Sequence, residues 1–272
     1  MENNNQDKEI NSIHNNKIVI VIIIISILLM AIAGYKLFIE KPGDDNLKEV
    51  KSAEKRKEES IEILKKEGIG YNEYLHLIPD STEISMRSKK EILSRAIASY
   101  AAANVAIDYN WHKDNLERSK EIFKELITKF NVEDSLINEE KIMFYGEPTD
   151  EMARNIEWTL EASKVLFWML GFIDDLNYPS ENNITSALEI DGFLSKYNSF
   201  DEILNDVKLI DVEKILDYAD LYFRYHWACV DKRVNGTTST ANLSSDIVYE
   251  RRRAFEWTIN SKEDWYNFNS ST

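Results

Sequence analysis

Cysteine, proline and glycine are all scarce in this chain of 272 residues, which has one cysteine, four prolines and eight glycines. The single thiol, Cys229, excludes an internal disulfide and any metal centre built from several cysteines. It falls on a strongly apolar stretch and reads as a small core residue. So few turn-formers leave little material for the tight hairpins of a many-stranded sheet. Basic residues are outnumbered, 33 Lys and Arg against 48 Asp and Glu, for a net charge of −15. An acidic chain without a basic stripe repels phosphate backbones, which argues against nucleic acid as a partner. Catalytic signatures are missing too: no Walker loop, no Rossmann glycine fingerprint, no G-x-S-x-G and no H-E-x-x-H. No cofactor and no metal are therefore expected. One E-x-x-H does occur, Glu73 to His76, but in a loop, whereas di-iron bundles need two such pairs on helices. Asp108 and His112, four residues apart at a helix end, read as a local pair.

What the chain does have begins with an uncharged run, "IVIVIIIISILLMAIAGY", from Ile18 to Tyr35. At 1.5 Å per residue it nearly crosses a hydrocarbon core of ~30 Å, and Leu37–Ile39 extend it. Residues 18–39 are expected to be a transmembrane anchor in the lipid bilayer, after a polar tail over 1–17. A cleaved signal peptide competes, because Ala31-Ile32-Ala33 has the form of a cleavage site. The preceding region is not clearly basic, however, since Glu2, Asp7 and Glu9 offset Lys8 and Lys17. Lys36, Lys41, Lys48, Lys51, Lys55, Arg56 and Lys57 follow the span, and this excess predicts a large domain on the cytoplasmic side. The unpaired cysteine fits that side. The opposite orientation stays open, because the tail to be translocated is short. "KPGDDN" then interrupts the helix, and residues 40–67 read as a linker and a charged, solvated stalk helix. It docks only at its far end, near Ile61 and Leu64, and is stopped by Gly68.

Residues 68–272 read as a single all-α domain of about seven or eight helices. Ser88 and Glu91 form a capping box for a helix reaching about Asn110. Asp114 to Lys129 repeats apolar residues at helical spacing, and a short helix follows near Ser135–Tyr145. Thr149 caps a long helix ending before Gly171. Ser199 and Asp211 begin two more, the second reaching Asn235-Gly236, and Ser245 begins the last, to about Asn260.

Placing each helix on a wheel at about 100° per residue sorts its polar side chains. On the Asp211 helix the apolar stripe runs through Val212, Ile215, Leu216, Ala219, Phe223, Val230 and Val234, and His226 lies inside it. Arg224 falls on the opposite arc with Asp220 and reads as a surface ion-pair partner. On the last helix Arg251 sits within the apolar face, while Arg252, Arg253 and Glu256 point away. Arg154 and Glu161 lie on the inward face of the Thr149 helix, and Arg95 borders that of the Ser88 helix. Arg95, Glu161, His226 and Arg251 are thus expected to face a shared core, with Glu161 as the acid that a buried guanidinium requires. They form either an internal salt-bridge network, a pocket for a small anionic ligand, or a catalytic site.

Several ordered motifs also look familiar: "RSKKEILSRA", "WTLEASKVLFWMLGFID", "YFRYHWACVDKRVNG" and "VYERRRAFEWTI" with "DWYNF". Together with "RKEESIEILKKEGIGYNEYLHLI" they resemble the bacterial family of domain of unknown function 4272, over about residues 55–268. The resemblance implies a helical domain and no known activity. Its motif positions here are Arg87, Arg95, Glu161, Trp168, His226, Trp227, Asp231, Arg251, Trp257 and Trp265. The chain departs from the family pattern at Thr159, where an arginine is usual, at Glu256, where an asparagine is usual, and within "DWYNF". The expectation is a membrane-tethered, non-enzymatic interaction module at a bacterial membrane, its partner a protein or a small anion. The alternatives are an enzyme built on Arg95, Glu161, His226 and Arg251, and, from acidity and helicity alone, an immunity-type inhibitor of a basic toxin.

Overall fold

The computed structural model describes residues 50–266, so the anchor expected over 18–39 lies outside the described residues. Among the described residues no helix is long and apolar enough to cross a membrane. Among the described residues there are nine α-helices: α1 (Ala53–Glu67), α2 (Lys89–Trp111), α3 (Leu116–Lys129), α4 (Asn138–Tyr145), α5 (Asp150–Met169), α6 (Ala187–Leu194), α7 (Phe200–Asp206), α8 (Val212–Asn235) and α9 (Ser245–Ile259). No strand is present among the described residues; Ser85 and Asn260 make one isolated bridge.

Helix ends follow local chemistry. Ser88 accepts from the Glu91 amide at 3.3 Å while Glu91 accepts from the Ser88 amide at 2.9 Å, closing the expected box. Thr149 accepts from the Met152 amide at 3.2 Å, and Asp211 from the Glu213 amide at 3.1 Å. Gly68 ends α1 at φ 70° and Gly236 ends α8 at φ 74°, a region a side chain disfavours. Helix α6 has no expectation behind it, being eight residues long and without a side-chain cap.

The core forms where α2 packs along α5, and α9 lies against both α5 and α8. Ala96, Ala101, Ala102, Ala103 and Ala106 are fully buried on α2, so small side chains allow close approach of the two axes. Trp168 fills the space behind, 4.8 Å from the Tyr218 ring and 6.0 Å from Phe255. Helix α1 is not a solvated stalk. Arg56, Ser60, Ile61 and Leu64 are all buried, a single stripe at helical spacing laid along α8. Arg56, 1% exposed, donates to Glu213 at 2.6 Å and to Asp217 at 3.2 Å. Near its end Tyr225 donates to Glu67 at 2.6 Å. The alternating charges hid this docking, because the residue that anchors it is itself charged.

Two helices are enclosed on nearly every side, and this overturns the wheel assignments made for them. Tyr222, Phe223, Arg224, Tyr225 and His226 are consecutive and all buried on α8. Arg224 is therefore not a surface residue: it is 1% exposed and grips Asp220, itself fully buried, through two bonds of 2.8 Å. The loop before α2 covers this arc, with His76 4.4 Å from the Phe223 ring. On α9 all of Val248 to Phe255 except Tyr249 is buried, so Arg252 and Arg253 point into protein rather than away from it. Conversely Arg154 is exposed on α5, and Val234 is 70% exposed at the end of α8.

Candidate functional site

The four inward residues do not meet at one place. Arg251, fully buried, donates to Glu161 at 2.9 Å, to the Leu176 and Asn177 carbonyls at 2.5 and 2.9 Å, and to the Tyr222 hydroxyl at 3.0 Å. The second oxygen of Glu161 accepts from the Thr185 amide at 2.6 Å. This pair fastens both ends of the 176–185 connection to α5, α8 and α9, and both groups are bound by protein.

Arg95 has a different acid. It meets both oxygens of Glu140 on α4 at 2.5 Å and the Ser135 carbonyl at 2.6 Å, and the same carboxylate accepts from the Ile137 amide at 3.1 Å. The guanidinium also lies 4.9 Å over the Trp265 ring. His226 is a third, separate case: Arg252 donates to its Nδ1. Burial, then the charges of Arg252 and Arg233, hold that imidazole down at about 3, so it is neutral.

The remaining family-like positions are structural in the same sense. Arg87 donates to the Trp257 carbonyl at 2.9 Å and lies 4.1 Å over that ring, and Trp257 meets Trp265 edge to face at 5.3 Å. Asp231 accepts from Asn235 at 2.6 Å and from Thr238, closing the end of α8. Trp227 is only partly buried against the core. Asp108 and His112 make a local contact at 3.3 Å, and no group of residues fit to hold a metal ion occurs among the described residues.

Buried polar atoms without a hydrogen-bond partner occur at several of the buried arginines, among them Arg56 Nη1, Arg95 Nε, Arg224 Nη1 and Arg251 Nη2. Between α5 and α9 is a cavity of about 350 Å³ lined by Asn155, Trp158, Asp246, Tyr249, Glu250, Arg253 and Tyr266. Glu250 is 4% exposed and Arg253 5% exposed, and they are held together at 3.0 Å. Glu250 keeps Oε2, Arg253 keeps Nε and Nη1, and Tyr266 keeps its hydroxyl, all buried without a hydrogen-bond partner. Such atoms are rare in folded proteins, and each calls for an explanation. Burial pushes the Glu250 carboxyl up to about 7, against the pull of Arg253. Arg253 is set in its plane by the rings of Tyr249 and Tyr266, 5.2 and 4.9 Å away. A second cavity of about 290 Å³ shares Asn155 and Tyr266 with the first.

The sequence carried one sign of this site. On the α9 wheel Glu250 falls between the directions of Trp257 and Ala254, inside the apolar arc, at about 100° per residue. An acid there must be buried, and Arg253, three residues on, is its natural partner.

A family model described as "Domain of unknown function (DUF4272)" matches residues 56–268. The chain belongs to that family. The match begins at Arg56, so α1 is part of the DUF4272 domain, in keeping with its burial against α8. No curated protein and no solved structure matches the chain.

Proposed function

We propose that the DUF4272 domain of this chain is a non-enzymatic binding module whose ligand cavity lies between α5 and α9. The supporting observation is a buried ion pair at a cavity: Glu250 and Arg253, 3.0 Å apart, belong to the lining of the α5–α9 cavity together with Trp158, Tyr249 and Tyr266. Polar groups converging in a concave, partly aromatic site are what ligand pockets require. Tethering follows from the uncharged run Ile18–Tyr35 and the basic residues after it, which favour a single pass with the domain on the cytoplasmic side of a bacterial membrane.

Two measurements test this. Full-length chain in mild detergent is screened for compounds that raise its melting temperature, and each active compound is then incubated with the protein and recovered. Stabilisation with unchanged recovery supports a binding module. Conversion of the compound supports the second reading, an enzyme, which a carboxyl held near neutrality beside a guanidinium would suit. Cell fractionation tests the tether: the intact chain stays in membranes through high-salt and alkaline washes. A soluble form beginning near Gly34 would instead show a cleaved signal.

A further inference from the structure

A separate cleft of about 400 Å³ opens between α3 and α6, with the buried Tyr100 of α2 at its base. Its walls carry side chains that a partner can reach. On α3, Arg118 and Ile122 stand one turn apart and both are exposed. On α6, Leu188 and Asp191 are exposed likewise, and Leu188, at 79%, is the most exposed large aliphatic among the described residues. Only Ile190 and Leu194 of α6 are buried, which leaves Leu188 in water. Single exposed apolar side chains are ordinary. Here two lie across one cleft, with the half-buried Phe123 and Ala187 below them, and together they form an apolar strip. The charges beside the strip have opposite signs on the two walls: Arg118 on α3, Asp191 on α6. Neither has an ion-pair partner among the described residues. Asp108, the other charged residue of the lining, already contacts His112 at 3.3 Å.

A surface with a base on one wall, an acid on the other and apolar side chains between them is complementary to itself. When a two-fold axis runs along the cleft, the α3 wall of one copy meets the α6 wall of the other. Arg118 then faces Asp191 twice, and each Leu188 meets the apolar strip of the opposite copy. A partner carrying one sign of charge would leave either Arg118 or Asp191 unanswered, whereas a second copy answers both.

We propose that the α3–α6 cleft is a self-association surface, on which two copies of this chain pair about a two-fold axis. This is independent of the α5–α9 cavity and of what that cavity binds. The test uses two differently tagged full-length copies, co-expressed and extracted in mild detergent, and measures how much of one is captured with the other. Parent copies capture each other. Arg118→Glu in both copies, or Asp191→Lys in both, sets like charges together twice and weakens capture about tenfold or more. Leu188→Lys in both copies weakens it to a similar extent. All three positions are exposed, so the fold is kept, as melting curves would verify. The deciding arm pairs Arg118→Glu in one copy with Asp191→Lys in the other. Each changed charge then meets its opposite, and capture recovers, which no folding defect would allow. Absence of capture between parent copies overturns the proposal. Capture that any of the three variants leaves unchanged overturns it too, since association would then lie on another part of the chain. Loss in both charge variants without recovery in the mixed pair also overturns it, because the two walls would not be facing each other.

Discussion

Replacing Glu161 by leucine leaves Arg251 fully buried with its carbonyl and tyrosine partners but no counter-charge. Breaking a buried pair from one side costs about 3–5 kcal/mol. The Thr185 amide, which the other Glu161 oxygen accepts at 2.6 Å, is orphaned as well, adding ~1–3 kcal/mol. Arg251→Met strands the carboxylate instead and should cost a similar amount. The double variant has no buried charge left at this site. It still leaves the Thr185 amide and the Leu176 and Asn177 carbonyls without partners, so recovery is partial. Its loss should fall below the sum of the single losses by at least about 2 kcal/mol. Glu161→Gln has one acceptor oxygen in place of two, so it keeps only one of the two accepted bonds and should lose less than Glu161→Leu. The assay is urea unfolding of the full-length chain in mild detergent, followed by tryptophan fluorescence, with the parent and the four variants compared at constant slope. Losses that add to within about 0.5 kcal/mol would refute the coupling, and with it the assignment of this pair as the fastener of the 176–185 connection.

Other outcomes follow from burial and charge. The folded chain keeps a proton on Glu250 up to about pH 7, whereas an ordinary glutamate releases it near 4.5. Stability should therefore decline as pH rises through that window, by about 3 kcal/mol. Glu250→Gln should be more stable than the parent at pH 8, and an unchanged pH profile would count against the buried carboxyl. His226 has the opposite sign: its imidazole titrates at about 3 rather than 6.5, so the stability linked to it is complete above 6.5 and is lost as pH falls below that. His226→Gln should flatten acid unfolding between those values in thermal melts. Arg56→Met should cost less than the Glu161 variants, about 1–3 kcal/mol, because Glu213 and Asp217 are partly exposed and can rehydrate. Hydrogen exchange should quicken over Ser60–Leu64 and stay unchanged in α5. Equal acceleration in both would mean that α1 does not open separately.

Legibility from sequence tracked the range of the interactions involved. Helix ends at Ser88, Thr149, Asp211, Gly68 and Gly236 were readable because caps act within a few residues. The all-α class followed from the same signals. The Glu161–Arg251 contact was also legible, since a buried guanidinium has few acids to choose from. What failed was the assumption that each helix has one wet side. Helices α8 and α9 have almost none in their middle turns, so Arg224, Arg252 and Arg253 went to a surface that does not exist there. Arg95 finds its acid in Glu140, which the wheels did not offer because it lies on a short helix whose position depends on the connection before it. The α5–α9 cavity depends on Tyr266 and Asn155 closing over α9 from distant parts of the chain, which no local period reports.

The enclosure of α9 also sets an order of events during synthesis. Its side chains complete contacts begun much earlier in the chain: Arg251 for Glu161, Arg252 for His226, and the Trp257 carbonyl for Arg87. Until residues 245–259 leave the ribosome, α5 and α8 hold a buried-type acid and imidazole with nothing to meet them. Contacts of such long sequence separation form late and slowly. The domain therefore cannot close helix by helix as it emerges; it waits, partly assembled and with apolar surface open, for its last helix to arrive. A chain that stops even a few turns early would keep most of its helices and lose the one that closes over α5 and α8.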